Sequence, residues 1–519
     1  MRYPAVVHHS GVPTITVRST SDAPTRPPAE LRTPSRRTLS LLLVGFGAGL
    51  ALIAAVAGAP PAWVMLPFSA ALLAAAVILP FPEADYYLAF LVGATLPTMP
   101  PTGLPNLPLA IPVLVVALVR VAPAYRQVPR RAVFLLIGLW AILAVGMLVS
   151  SWPGVQFWLR PTALVAVAAL ASAVGLLVAV DRARMLRWLL GFGAFAGAVA
   201  VTALAFYATQ FVVSIQPLVS FLASAQGYVR GDAAADFFTG INNWVIWSPA
   251  GGIVRAVSLF VPAPHGVGAI LGLTMPMLAG LVVVDHNVTR RHRWLWLTVL
   301  ALGTATLALT LSRATWLAAL VAGGVATVAL IAFMRDRPIL RRAAMLAGVA
   351  VLLCGLSAVT VFAAGQAAAG VGDRLTEADA DQSVTDRVRN GQQAIAALAT
   401  NPWRGYGLGG WSVGEPDRIG AAYVHNLYLE YARALGVSGL LWVVAIPALL
   451  VGGGLFVLRR GGADRFLGLG LTTVGAFAAV HFLFDDSLLV PQYAWMLLWT
   501  VGAAIAVMMT APREVTDRE

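Results

Sequence analysis

Lysine is absent from this sequence, cysteine occurs once, and charged side chains make up only 11% of it. A soluble domain carries about 25% charged residues, so this chain lacks the polar groups to cover a water-facing surface, and the soluble globular class is excluded. The lone Cys354 lies in the apolar run Val349 to Phe362, which rules out an intramolecular disulfide and a thiolate metal site and leaves a small core residue. With no lysine, the formal net charge of +12 rests on arginine. The arginines come mostly in short clusters between apolar runs, a spacing that reads as membrane topology, and nucleic acid is not an expected partner.

Apolar residues make up 59% of the chain, and many lie in stretches of about 20, the length that crosses the hydrocarbon of a bilayer. Spans are expected near 39–58, 61–80, 86–103, 106–122, 132–150, 161–180, 185–212, 264–284, 294–311, 314–333, 343–364, 438–458, 466–484 and 489–510. The expected fold class is an all-α polytopic membrane protein with about 12–14 transmembrane helices and two long extracytoplasmic loops. Prolines at 97, 100, 101 and 105 break the pattern, so the pair within 81–122 is either two spans or an amphipathic or re-entrant element.

The clusters Arg126/Arg130/Arg131, Arg182/Arg184/Arg187, Arg290/Arg291/Arg293, Arg335/Arg337/Arg341/Arg342 and Arg459/Arg460/Arg465 fall at every second turn of the count. By the positive-inside rule they are cytoplasmic, and so are both termini. Residues 1–37, rich in Pro, Ser, Thr and Arg, read as a disordered cytoplasmic tail. The expected organisation continues with a bundle at 38–212, a long outer loop at 213–263, a second bundle at 264–364, a second outer loop at 365–437, closing helices at 438–510 and a cytoplasmic tail at 511–519.

Polar residues gather in the two long loops, and loops of that length are usually functional. The first holds Tyr228, Arg230, Asp232, Asp236, Asn242, Asn243, Trp244, Trp247 and Arg255, with Gln210 just before it. Its aromatics suit either a headgroup belt or stacking on sugar rings. The second loop contains an amphipathic helix, Asp386 to Leu398. It also contains the turn-rich stretch Asn401-Pro-Trp-Arg404-Gly405-Tyr406-Gly407-Leu-Gly409-Gly410-Trp411, whose glycines permit close backbone approach to a ligand. In Tyr423-Val-His425-Asn426-Leu-Tyr428-Leu-Glu430 the loop becomes a helix with Asn426 as N-cap, setting His425 beside a helix N-terminus suited to anions. The short turn Leu311-Ser312-Arg313-Ala314 pins Arg313 at the outer membrane face, where an arginine is costly; it reads as a site residue ahead of the alternative, a snorkelling interfacial arginine. Glu430 either pairs with Arg433 or supports His425. Asp485 and Asp486 orient an arginine, bind a cation or, in the better-weighted reading, are solvated loop carboxylates.

In order and sidedness these pieces resemble the O-antigen ligase and polymerase superfamily of bacterial membrane glycosyltransferases. The resemblance rests on Arg255-Ala-Val-Ser258 with Pro264-His265-Gly266, on Ser312-Arg313, on 401–407, and on His425-Asn426-x-Tyr428 followed by Gly436 and Gly439, and it covers roughly 200–460. It implies transfer of a glycan from a polyprenyl-diphosphate-linked donor to a glycan, lipid or protein acceptor at the outer face of a bacterial cytoplasmic membrane, without metal, nucleotide sugar or other cofactor. It implies that Arg255 and Arg313, with Arg404, bind the diphosphate, and that His425 and Arg313 are catalytic. His425 serves either as a base or as a phosphate ligand. His265, Asn426, Tyr428 and Glu430 are supporting candidates, His265 standing where the family often has Asn. The motifs do not separate a ligase from a polymerase. The rival class is a lipid-linked oligosaccharide flippase or other multi-span transporter, disfavoured because no duplicated half is evident and the ionisable residues gather at one face.

Overall fold

The computed structural model describes residues 35–59, 61–94, 97–98, 107–108, 110–150, 155–230, 245–248, 251–261, 263–284, 292–333, 382–407, 424–461, 464–485 and 487–510. The tails, the span expected at 343–364 and the loop residues Asp232, Asp236, Asn242, Asn243, Trp244 and Asp486 lie outside them.

The protein is an all-α polytopic membrane protein. Its helices are α1 (Arg36–Val56), α2 (Pro61–Ile78), α3 (Glu83–Ala94), α4 (Ala110–Val121), α5 (Arg130–Val149), α6 (Val155–Val178), α7 (Arg182–Thr209) and α8 (Ile215–Arg230), followed by α9 (Pro264–Val284), α10 (Arg293–Leu309), α11 (Arg313–Phe333), α12 (Gln382–Thr400), α13 (Leu427–Arg460), α14 (Arg465–His481) and α15 (Pro491–Thr510). Among the described residues eight helices are long and apolar enough to cross a bilayer, and four shorter apolar helices accompany them. Two antiparallel hairpins interrupt this pattern, β1 (Pro97–Thr98) with β2 (Leu107–Pro108), and β3 (Val245–Ser248) with β4 (Gly251–Val254).

The first hairpin corrects the span expected at 86–103. Helix α3 stops at Ala94 and rises only about 18 Å at 1.5 Å per residue, short of the roughly 30 Å hydrocarbon core. The prolines of 97–105 explain the stop, since each removes a backbone donor. The amphipathic helix expected in the second loop is present as α12, four residues longer at its start and two at its end. It packs on α13 through Asn390, Ala394 and Ala397, one stripe at helical spacing.

Helix α15 forms the centre of the bundle. Tyr493, Trp495 and Trp499 are buried along it, and Trp499 stacks on Trp188 of α7 at 5.5 Å and 8°. At the rim the packing is inverted, with Leu41 75%, Val56 82% and Leu148 77% exposed, an arrangement that water would oppose and lipid solvates.

Contacts between helix ends sort into two opposite polar layers. In one, the starts of α1 and α3 meet through Arg37 and Glu83, and those of α3 and α7 through Asp85 with Arg187 at 2.9 Å and Arg184 at 3.7 Å. Arg182 and Asp464 join the starts of α7 and α14 at 2.6 Å, and Arg120 of α4 donates to the carbonyls of Ala76 and Leu79. The ends of α7, α10 and α14 and the starts of α9, α11 and α13 form the opposite layer. Every one of these joins helix ends that the arginine alternation puts on the same side.

Two outcomes are expected. In a Cys354→Ser background, Trp403→Cys, exposed in the second layer, should react with a membrane-impermeant maleimide on intact cells, whereas Arg459→Cys should react only after permeabilisation; the reverse pattern would invert the orientation. Asp85 is 1% exposed between two arginines, so Asp85→Ala should destabilise by about 3 kcal/mol, the low end for breaking a buried pair because both arginines keep some solvent contact. Thermal unfolding in detergent measures it.

Candidate active site

Among the described residues, the second layer holds the candidates Arg255, His265, Arg313, Arg404, His425, Asn426, Tyr428 and Glu430. Arg255 is fixed from both sides. Gln210, the C-cap of α7, binds both backbone groups of Val254, accepting from its N–H at 2.8 Å and donating to its carbonyl at 3.4 Å. One residue on, Arg255 Nε donates to the carbonyl of Thr310 at 2.9 Å, and Ala256 N–H donates to that of Leu309 at 2.9 Å. Thr310 caps the C-terminus of α10, so a cation sits where that helix presents carbonyls and the negative end of its dipole. Arg313 opens α11 three residues later and is exposed. Arg255 and Arg313 therefore flank one tight turn, although 58 positions separate them in the chain (313 − 255).

Ser312 immediately precedes α11, its Oγ accepting from Thr315 N–H at 3.4 Å. Thr315 Oγ1 lies 3.4 Å from Nε2 of His481, whose Nδ1 lies 3.3 Å from Ser487 Oγ. Between them, Asp485 faces His265 at the start of α9, Oδ1 to Nε2 3.9 Å. This corrects the reading of Asp485 as a solvated carboxylate, because the α14–α15 turn folds inward and buries it. The N-terminus of α13 enters the same layer, where Leu427 N–H donates to the carbonyl of Phe482 at 2.8 Å and Tyr428 O–H to that of Ala479 at 3.0 Å. His425 stands two residues before Leu427, with Asn426 between them as the expected N-cap, accepting from Leu429 N–H at 3.1 Å.

The turn that carries Arg404 is tied to α13 through a backbone exchange. Helix α13 breaks at Gly436 (φ 65°, ψ −154°), dividing a short first arm from the membrane-length stretch Val437 to Arg460. The break frees the carbonyls of Arg433 and Ala434 and the N–H of Val437. The 401–407 turn takes them up: Tyr406 N–H donates to Arg433 at 3.1 Å, Gly407 N–H to Ala434 at 2.7 Å, and Val437 N–H to the carbonyl of Pro402 at 2.7 Å. Gly405 (φ 53°) and Gly436 have left-handed backbones, and a Cβ on either would run into the other segment's backbone. Of the glycines expected to approach a ligand, Gly405 and Gly407 lie against the protein's own helix, and Gly409 and Gly410 lie outside the described residues. Arg404 and Trp403 stay exposed beside the break. Glu430 pairs with Arg433 within the first arm, both nearly buried, as the first of its two readings has it.

Among the described residues, the non-glycine positions with left-handed backbone are Leu311 (φ 49°) and His425 (φ 53°). One is two residues before Arg313 and the other is the candidate histidine itself. Such conformations cost about 1–3 kcal/mol and persist where surrounding structure imposes them, commonly at functional sites.

Sequence reading missed His481, Thr315 and Ser487, and also what Gln210 does. The signal for His481 was present, a histidine closing the apolar helix Phe466 to Val480 at the end that the span count puts outside. Among the described residues no group of three or more His, Cys, Asp or Glu is arranged to hold a metal ion. The layer thus combines two arginines at one turn, histidines beside it and the N-termini of α9, α11 and α13, an arrangement able to bind a polyanion and to accept a proton.

Residues 297–444 match the family model described as O-antigen ligase. The match supports the O-antigen ligase/polymerase superfamily, as the motifs implied. It spans Arg313, Arg404, His425 and Glu430, and leaves Arg255 and His265 outside its bounds. No curated protein matches the chain.

If the backbone at His425 is strained to hold the ring, relieving it should separate stability from activity. His425→Gly should unfold at a higher temperature than His425→Ala, by a difference of about 1–2 kcal/mol, with both inactive in glycan transfer. Equal unfolding temperatures would remove the strain argument.

Proposed function

We propose that this protein, a polytopic membrane protein with an O-antigen ligase segment, transfers a glycan from a polyprenyl diphosphate carrier to an acceptor hydroxyl on the outer face of a bacterial cytoplasmic membrane. The observation that carries this reading is the seating of Arg255 on the α10–α11 turn that ends in Arg313, in one layer with His425.

The chemistry follows from the leaving group. When the bond between the anomeric carbon and the diphosphate oxygen breaks, negative charge develops on that oxygen. Two guanidinium groups held in advance meet this charge without rearranging, and their planar forks match phosphate oxygens. Arg255 and Arg313 bind the diphosphate, and exposed Arg404 guides the anion toward them. The acceptor oxygen attacks the anomeric carbon from the face opposite the diphosphate, forming the new glycosidic bond and inverting the centre. The acceptor's proton passes to the imidazole of His425, or directly to a phosphate oxygen if His425 serves as a phosphate ligand. No metal is needed when arginine carries the charge stabilisation, so the proposed transfer is metal-independent. The donor's tail lies in the bilayer, which fits a site built at helix ends rather than at mid-membrane.

Purified protein in detergent, given a synthetic polyprenyl-diphosphate oligosaccharide and an acceptor glycan, should form product with inverted anomeric configuration, unaffected by chelator. Arg313→Ala should fall by about 100-fold or more while remaining folded, the usual loss when one preorganised donor to a developing anion is removed. Movement of the intact lipid-linked donor across proteoliposomes, with no transfer to any acceptor, would replace this reading with a flippase. Activity abolished by chelator and restored by divalent ions would overturn the metal-free scheme.

A further inference from the structure

We infer that His481 is a positioning residue for the transfer, setting the spacing between the diphosphate-binding side and the acceptor side of the site. The inference rests on the glycosyltransferase reading above. His481 is fully buried at the end of α14, its ring stacked on Phe477 at 5.2 Å and 20°. Its two nitrogens reach in different directions, Nε2 to Thr315 Oγ1 at 3.4 Å and Nδ1 to Ser487 Oγ at 3.3 Å. The carbonyl of the next residue, Phe482, accepts from Leu427 N–H at 2.8 Å. Each contact lies two positions from a residue of the site. Thr315 follows Arg313, Ser487 follows Asp485 with its His265 partner, and Leu427 follows His425. One dipeptide thus touches the three segments that deliver the candidate arginine, the histidine–carboxylate pair and the candidate base.

The chemistry of the bridge suits this role. A neutral imidazole offers one donor and one acceptor, and a hydroxyl can be either, so Thr315 and Ser487 satisfy the ring in both tautomers without a buried charge. Apolar packing alone would fill the same space with less directional registry. The spacing is also tight on the far side, since a Cβ at Gly268, one turn after His265, would overlap Thr315. Displacing Thr315 therefore shifts the start of α11 against the start of α9, and a misplacement on the order of 1 Å can cost about 100-fold in turnover.

The test separates positioning from stability. His481→Leu leaves two buried hydroxyls without the ring and should lower both the unfolding temperature and kcat. Adding Thr315→Val and Ser487→Ala removes those hydroxyls, and replacing both sides of a buried hydrogen bond with apolar groups of similar shape is close to neutral. The triple variant should therefore recover the unfolding temperature while kcat stays about 10–100-fold below wild type, with donor KM changed less than about threefold. His481→Gln, able to donate and accept, should regain most of kcat. Recovery of kcat together with stability in the triple variant would reduce His481 to a packing residue and overturn the inference alone. Absence of transfer by the wild-type protein with the same donor and acceptor would count against the function itself, and the inference would fall with it.

Discussion

A helix that stops or bends at membrane depth exposes backbone groups that lipid cannot satisfy, and the site layer is organised by that demand. At the end of α10 the carbonyls of Leu309 and Thr310 take the Ala256 N–H and the Arg255 guanidinium. At the end of α14 the Phe482 carbonyl takes the N–H of Leu427. At the Gly436 break the 401–407 turn supplies two donors and one acceptor. In each case the segment that caps an interrupted helix also delivers a candidate side chain: Arg255, His425 and Arg404. Capping and site construction are the same set of contacts.

The two polar layers solve different electrostatic problems. In one, arginines at helix starts are matched by carboxylates, with Asp85 between Arg184 and Arg187 and Asp464 against Arg182. Such matching ties neighbouring helices together while limiting uncompensated charge at the hydrocarbon edge. In the other, Arg255 Nε is seated on the carbonyl of Thr310, which orients the guanidinium on the α10–α11 turn. Elsewhere in the layer His481 lies between the Thr315 and Ser487 hydroxyls and His265 faces Asp485.

Strain falls in the same place. Leu311 and His425 are held in left-handed backbone within a few residues of the arginine and imidazole they present. The contacts on either side, Ala256 to Leu309 before the first and Leu427 to Phe482 after the second, help to hold both turns against their own preference.

The sequence by itself determined the solvent, most of the spans and the alternation of arginine clusters, because hydropathy and charge are summed along the chain and need no partner to be read. It also determined the local devices at the site. Asn426 caps α13, α12 is amphipathic, and α11 starts right after a two-residue turn at Arg313, all consequences of residue type at short range. Tertiary structure alone decided which of these devices meet. Arg255 joins Arg313 through a carbonyl 55 residues away, Asp485 turns inward to His265, and His481 bridges Thr315 and Ser487. The glycines at 405 and 436 prove to be a matched pair, because a close approach between backbones depends on where the other segment runs, and that information lies in the packing of helices rather than in either stretch of sequence.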